Sequence, residues 1–154
     1  MTTYIDSSVL VAVYVPERFS ASARRTLSHV PQVPYTLLHE LEVANAFALL
    51  LGRRSITVAE HRAIGAQVRD DVEAQRLVPT AVDWPQTFAG ACELSQSCTP
   101  TLLTRSLDLL HVAAAGAIGC KVFVSADDRQ LAAAKAAWLK VVDIKRSTAR
   151  SPRR

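Results

Sequence analysis

Apolar positions follow two rhythms along the chain: short unbroken runs, and longer stretches that recur every three to four residues. The runs TYID (3–6), CKVFVS (120–125) and KVVDI (140–144) are rich in β-branched and aromatic residues and predict buried strands. RLVPTAV (76–82) predicts another short strand, and VPYT (33–36) either a strand or, because of its proline, an extended lead-in. Helical patterns fill the intervals. SSVLVAVYV is helix-compatible and stops at Pro16, and a second helix at 19–29 carries Ala23 and Leu27 between exposed arginines. LLHELEVANAFALLLGRR (37–54) predicts a strong helix with Gly52 at its C-cap. Thr57 and Glu60 supply a capping box for VAEHRAIGAQVRDDVEAQ (58–75). Trp84 to Ser97 reads as a helix with Pro85 in its first turn, followed by a loop from Thr99 to Arg105. SLDLLHVAAAGAIG (106–119) and DRQLAAAKAAWL (128–139) are the last two helices.

Short apolar strands alternating with helices imply βαβ units, so the expected fold is α/β: a three-layer α/β/α sandwich around a mostly parallel central sheet. Ligands in open parallel sheets gather where strands pass into helices at their carboxyl ends. With 154 residues and no internal repeat or linker, one domain is expected over residues 1–144, followed by a basic C-terminal tail at 145–154.

Charge changes this picture only at the end of the chain. The tail KRSTARSPRR holds Lys145, Arg146, Arg150, Arg153 and Arg154 and no acid, and without it the net charge of +4 disappears. Such a tail can hold a polyanion or stay solvated. Cys92, Cys98 and Cys120 form no CxxC pair and are expected to be buried free thiols. No apolar run reaches the length of a membrane span, and the N-terminus does not read as a signal peptide, so a cytoplasmic protein with no membrane association is expected.

Four carboxylates interrupt apolar surroundings. Asp6 ends the first strand and Asp127 follows CKVFVS, so parallel strands would bring both acids to one edge. Each could simply cap the helix that follows. At about 100° per residue, Glu42 shares a helix face with Leu38, Leu41, Asn45 and Leu49, while Glu40 points nearly the opposite way. Periodicity alone leaves open which acid meets the sheet. Asp108 lies in a helix almost without charge, where a buried carboxylate needs a pair, a hydrogen bond or a metal; its place in the first turn also suits the helix dipole.

Binding of a hard divalent cation accounts for all four acids together. Mg²⁺ and Mn²⁺ prefer oxygen ligands and need only a few carboxylates plus substrate phosphates. His39 and His111 do not form a developed zinc or iron pattern. The chain has no GxxxxGK[ST], GxGxxG or GxSxG motif, so a P-loop, a dinucleotide site and a serine-hydrolase elbow have no support.

Four segments in this order and spacing, YIDSSVLVA, EVANAF, SLDLLHVAAA and FVSADDRQLAAAKAAWLKVV, carry a resemblance. The chain resembles PIN-domain ribonucleases, specifically the VapC-type toxins of bacterial VapBC toxin–antitoxin systems. By position, the resemblance implies an acidic cluster of Asp6, Glu42, Asp108 and Asp127, with Asp6 and Asp108 the principal metal ligands, and it favours Glu42 over Glu40. Ser8, Ser125 and Asn45 are the implied supporting residues. Asp128 would be an alternative ligand or a cap, and Ser7 has no assigned part. Trp138 departs from the pattern, standing where the family commonly has glycine, which suits a tight turn; so large a side chain must be buried or packed on a partner.

The implied function is the toxin of a type II toxin–antitoxin system: a Mg²⁺- or Mn²⁺-dependent endoribonuclease, homodimeric, acting on RNA and held inactive by a cognate antitoxin. Leu27, Leu49 and Leu51 are candidate contacts for that partner, with core the alternative. Two other classes compete. A phosphatase of the haloacid-dehalogenase type also begins with an acid after its first strand, but needs a second acid where this chain has Ser8. A catalytically silent PIN fold acting as a partner-binding module would have no need to keep all four acids.

Overall fold

The computed structural model describes residues 2–146. The elements run β1 (Thr3–Ile5), α1 (Ser7–Tyr14), α2 (Ser20–Ser28), β2 (Val33–Tyr35), α3 (Leu37–Gly52), α4 (Val58–Glu73), β3 (Leu77–Pro79), α5 (Trp84–Leu102), α6 (Ser106–Ala117), β4 (Val122–Ser125), α7 (Asp128–Ala136) and β5 (Lys140–Asp143). All three strand pairings are parallel, as the alternating pattern predicts. They fall into a three-stranded sheet ordered β1-β4-β5 and a two-stranded sheet of β2 and β3. The described residues fold into two compact units, one of residues 2–6 with 81–146, the other Ser7–Thr80.

The first unit holds the three-stranded sheet, with Thr3 opposite Val122 and Val122 opposite Lys140. Its core joins Tyr4 and Phe123 to Leu109, Val112 and Leu131. The Tyr4 and Phe123 rings stack at 5.5 Å with planes 9° apart, and the Tyr4 hydroxyl lies 2.8 Å from Nδ1 of His111. His111 is thus a buried histidine satisfied by a tyrosine, which gives it a packing role.

In the second unit, Thr36 and Thr57 both close capping boxes, with His39 and Glu60 as the reciprocal partners. His39 is fully buried and stacks on Tyr35 at 5.8 Å, so it too is structural. The buried stripe of α3 is His39, Val43 and Phe47. On the face that carries Glu42, Leu38 is buried and Glu42 half-buried, while Leu41, Asn45 and Leu49 are exposed. Because α3 is apolar nearly all round, its period does not choose a face, and the packing of neighbouring elements does. Leu27 and Leu51 are half-buried, so with the exposed Leu49 none of the three joins the core.

Several boundaries differ from the pattern. The loop expected at Thr99–Arg105 begins only at Leu103, because α5 continues through Pro100 to Leu102. A proline near a helix end removes only one of the last amide bonds, and the turn is closed instead by Leu103 in the left-handed region, donating its N–H to the Thr99 carbonyl. Gly52 is the last residue of α3 and not its cap; Arg53 is the cap and Arg54 takes the left-handed φ of 57°. Cys92 is exposed, against the expectation of three buried thiols, while Cys98 and Cys120 are buried. Among the described residues no helix is long and apolar enough to cross a membrane. Of the basic tail, residues 147–154 lie outside the described residues.

Candidate metal centre

The site begins with strand pairing in the first unit. Asp6 follows β1 directly, and its N–H donates to the Val124 carbonyl at 3.0 Å, extending the β1–β4 ladder by one bond. That bond fixes the backbone of Asp6 at the carboxyl end of the sheet, with the residue buried. Ser125, the last residue of β4 and fully buried, brings its Oγ to 3.2 Å from Asp6 Oδ2 and 2.7 Å from Gln130 Oε1. A hydroxyl has one proton to give, so these two acceptors share it. The same Oγ accepts the Asp127 N–H at 3.0 Å.

Asp127 is the N-cap of α7. Its Oδ1 accepts the N–H groups of Arg129 at 2.8 Å and Gln130 at 3.0 Å. The capping reading is therefore correct for one oxygen. The other, Oδ2, lies 3.8 Å from Arg105 Nη2, so a single carboxylate both starts a helix and faces a cation. Asp108 stands in the first turn of α6, where the helix dipole favours a negative charge. Arg105 grips it in two places, Nε to Oδ2 at 2.9 Å and Nη2 to Oδ1 at 3.3 Å. Gln130 Nε2 reaches the backbone carbonyl of Asp108 at 3.4 Å, tying the start of α7 to α6.

Asp108 and Asp127 are thus both paired with Arg105, and Asp6 is tied to Asp127 through Ser125. The hydrogen bond and charge of Asp108 raise the Arg105 pKa most, and Asp127 and then Asp6 add to the effect. Among the described residues no three Asp, Glu, His or Cys side chains converge closely enough to hold a metal ion as they stand. Among the described residues, the cation paired with both Asp108 and Asp127 is the Arg105 guanidinium. In kind, the donors fit a hard divalent cation: they are carboxylate oxygens at the ends of parallel strands and the starts of helices.

The other expected site residues have simpler settings. Asp128 points away, exposed and paired with Lys145 Nζ at 2.6 Å, which holds its carboxyl below the usual range. In the second unit, Glu42 is half-buried on the shoulder of the His39–Val43–Phe47 stripe, and Asn45 and Ser8 are exposed while Ser7 is buried. Neither Arg105 nor Gln130 is among the residues that the sequence pattern singles out. The three-residue spacing of Arg105 and Asp108 was a usable signal, because residues three apart are neighbours on a helix. The signal for Gln130 was a polar side chain on an otherwise alanine-rich helix face.

The family model of the PIN domain matches residues 3–136. Comparison with curated proteins gave no match. Among solved structures, the chain is similar to the crystal structure of FitAcB from Neisseria gonorrhoeae, with a TM-score of 0.64, 15% identity, and coverage of 94% of this chain and 99% of that one. It is also similar to FitAB bound to the IR36 DNA fragment, with a TM-score of 0.65, 16% identity, and coverage of 93% and 95%. At these identities the likeness is one of fold.

Proposed function

The chain belongs to the PIN domain family, and from that premise we propose that it is a Mg²⁺- or Mn²⁺-dependent endoribonuclease, the VapC-type toxin of a toxin–antitoxin pair. PIN domains are generally metal-dependent nucleases. The observation that supports the reading is the pairing of Asp108 and Asp127 with one guanidinium, and the tie of Asp6 to Asp127 through Ser125 at the carboxyl end of the β1–β4 pair. Bringing three acids together is costly unless a cation accompanies them.

In this reading Asp6 and Asp108 are the main metal ligands, and Asp127 and Glu42 complete the set. A bound Mg²⁺ or Mn²⁺ would neutralise charge on the scissile phosphate and lower the pKa of a water. The chain's own residues hold the carboxylates in place. Ser125 orients Asp6, and two backbone amides hold one oxygen of Asp127 while the second remains turned toward Arg105. Gln130 links Ser125 to the first turn of α6, so the settings of Asp6 and Asp108 are coupled through it. Ser8, Ser125 and Asn45 are the proposed supporting residues.

Support for a partner protein comes from the FitAcB and FitAB structures, each named for a joined pair of components, one of them bound to DNA. The proposed substrate here is RNA, the proposed inhibitor is an antitoxin, and the proposed assembly is a homodimer. Induction of the protein followed by mapping of cellular RNA 5′ ends tests this, with Asp6→Asn as control. New ends should appear at discrete sites with the native protein alone. Identical ends in both cultures would contradict the assignment.

A further inference from the structure

Arg105 occupies the N-cap position of α6 but makes no side-chain capping bond to the backbone of the helix. Its guanidinium turns to the acids instead, meeting Asp108 through both Nε and Nη2 and approaching Asp127 through Nη2. The arginine side chain is 74% exposed, whereas those of Asp108 and Asp127 are 14% and 35% exposed. The cation therefore reaches in from solvent over carboxylates that are mostly covered.

Two charges cannot use the same carboxylate oxygens at full strength. A divalent ion on Asp108 and Asp127 would take the lone pairs that Arg105 now uses, and it would repel the guanidinium. Arginine has the length to swing aside while staying anchored at the start of α6. Its planar set of donors also matches a phosphate as well as it matches a carboxylate.

We propose that Arg105 is the internal counter-ion of the site: it neutralises Asp108 and Asp127 in the metal-free protein, yields them to a divalent cation, and then holds a phosphate of the bound RNA strand. The proposal rests on the reading of these acids as a metal centre. It makes Arg105 a positioning residue whose two partners, carboxylate and phosphate, alternate with the loading of the site. Metal-free protein is thereby spared the repulsion among its own acids, and RNA gains an anchor where the metal is present.

Calorimetric titration of full-length protein with Mn²⁺ alone, native against Arg105→Gln and Arg105→Lys, tests the exchange. Removing the competing charge should tighten Mn²⁺ binding about threefold to tenfold in the Gln variant, the scale of a partly exposed ion pair. The Lys variant keeps the charge and should stay within about twofold of native. Single-stranded RNA binding by the Gln variant, measured in Mn²⁺ over a range of salt, should weaken and lose about one phosphate contact's worth of salt dependence. Equal Mn²⁺ affinity in native and Gln proteins would overturn the counter-ion role while leaving the metal centre intact. Lys binding as tight as Gln would overturn it too, since charge would not be what competes. An unchanged salt slope would overturn the phosphate contact. Absence of Mn²⁺ binding by the native protein would remove the metal centre and this inference with it.

Discussion

Ser125 Oγ lies 3.2 Å from Asp6 Oδ2, joining the carboxyl ends of two neighbouring parallel strands through side chains as well as backbone. The hydroxyl also meets Gln130 and accepts the Asp127 amide, so one small group touches three residues of the site. Ser125→Ala leaves buried polar atoms without this partner and should cost about 1–3 kcal/mol in urea unfolding. Mn²⁺ affinity should fall as well, because Asp6 loses its orienting bond. Ser125→Thr keeps the hydroxyl and should recover part of both losses. An alanine variant with native stability and native Mn²⁺ affinity would show that the hydroxyl orients nothing.

Tyr14 donates to Asp71 Oδ2 at 2.5 Å, and Asp71 Oδ1 accepts from Arg76 Nε at 2.7 Å. Burial, followed by the bond to Asp71, holds the Tyr14 phenol well above its usual pKa, and burial also pushes Tyr35 up to about 12. A phenol with a raised folded pKa contributes stability that is complete below its unfolded value of about 10. That contribution is lost as pH rises from there toward the folded value. Native protein should therefore unfold more easily as pH climbs past about 10. Tyr14→Phe should cost about 1 kcal/mol at neutral pH through the lost hydrogen bond, and decline less steeply in alkali. Chemical denaturation at neutral and alkaline pH measures both; equal alkaline slopes would exclude Tyr14 as a cause.

Trp138 sits in the turn between α7 and β5 with a φ of 63°, the left-handed conformation that the usual glycine would adopt without strain. It is 95% exposed, so the turn geometry survives the substitution while the ring is neither buried nor packed within the chain. A non-glycine residue pays about 1–2 kcal/mol for this backbone, more than the roughly 0.5–1 kcal/mol of extra unfolded-chain entropy that glycine brings. Trp138→Gly should consequently stabilise the protein by about 0.5–1 kcal/mol, read as a higher midpoint in urea. A lower midpoint would mean that the indole contributes packing.

Strands β1, β4 and β5 were readable because each is a short β-branched run between polar breaks, and their parallel pairing followed from the helices between them. The orientation of α3 was not readable. Most positions of this helix are apolar on every side, and burial of His39 depends on the Thr36 cap and on Tyr35. Asp6, Asp108 and Asp127 stood out because an acid in apolar surroundings needs a reason. Glu42 stood out through its resemblance to a known segment, since its helix period could not separate it from Glu40. Arg105 and Gln130 act through contacts that no periodicity encodes, apart from the short spacing between Arg105 and Asp108. Asp127 carried two readings from the start, and its two oxygens satisfy both.

The central claim is that these carboxylates support metal-dependent cleavage of RNA. The most direct measurement compares purified native protein with Asp6→Asn and Asp108→Asn, each checked for folding by circular dichroism, for cleavage of RNA in Mn²⁺ and in EDTA. Native protein should cut in Mn²⁺ and stop in EDTA, and both folded variants should lose at least about a hundredfold in rate, on the order of 2.7 kcal/mol of transition-state stabilisation. Undiminished Mn²⁺-dependent cleavage by either variant would contradict the account.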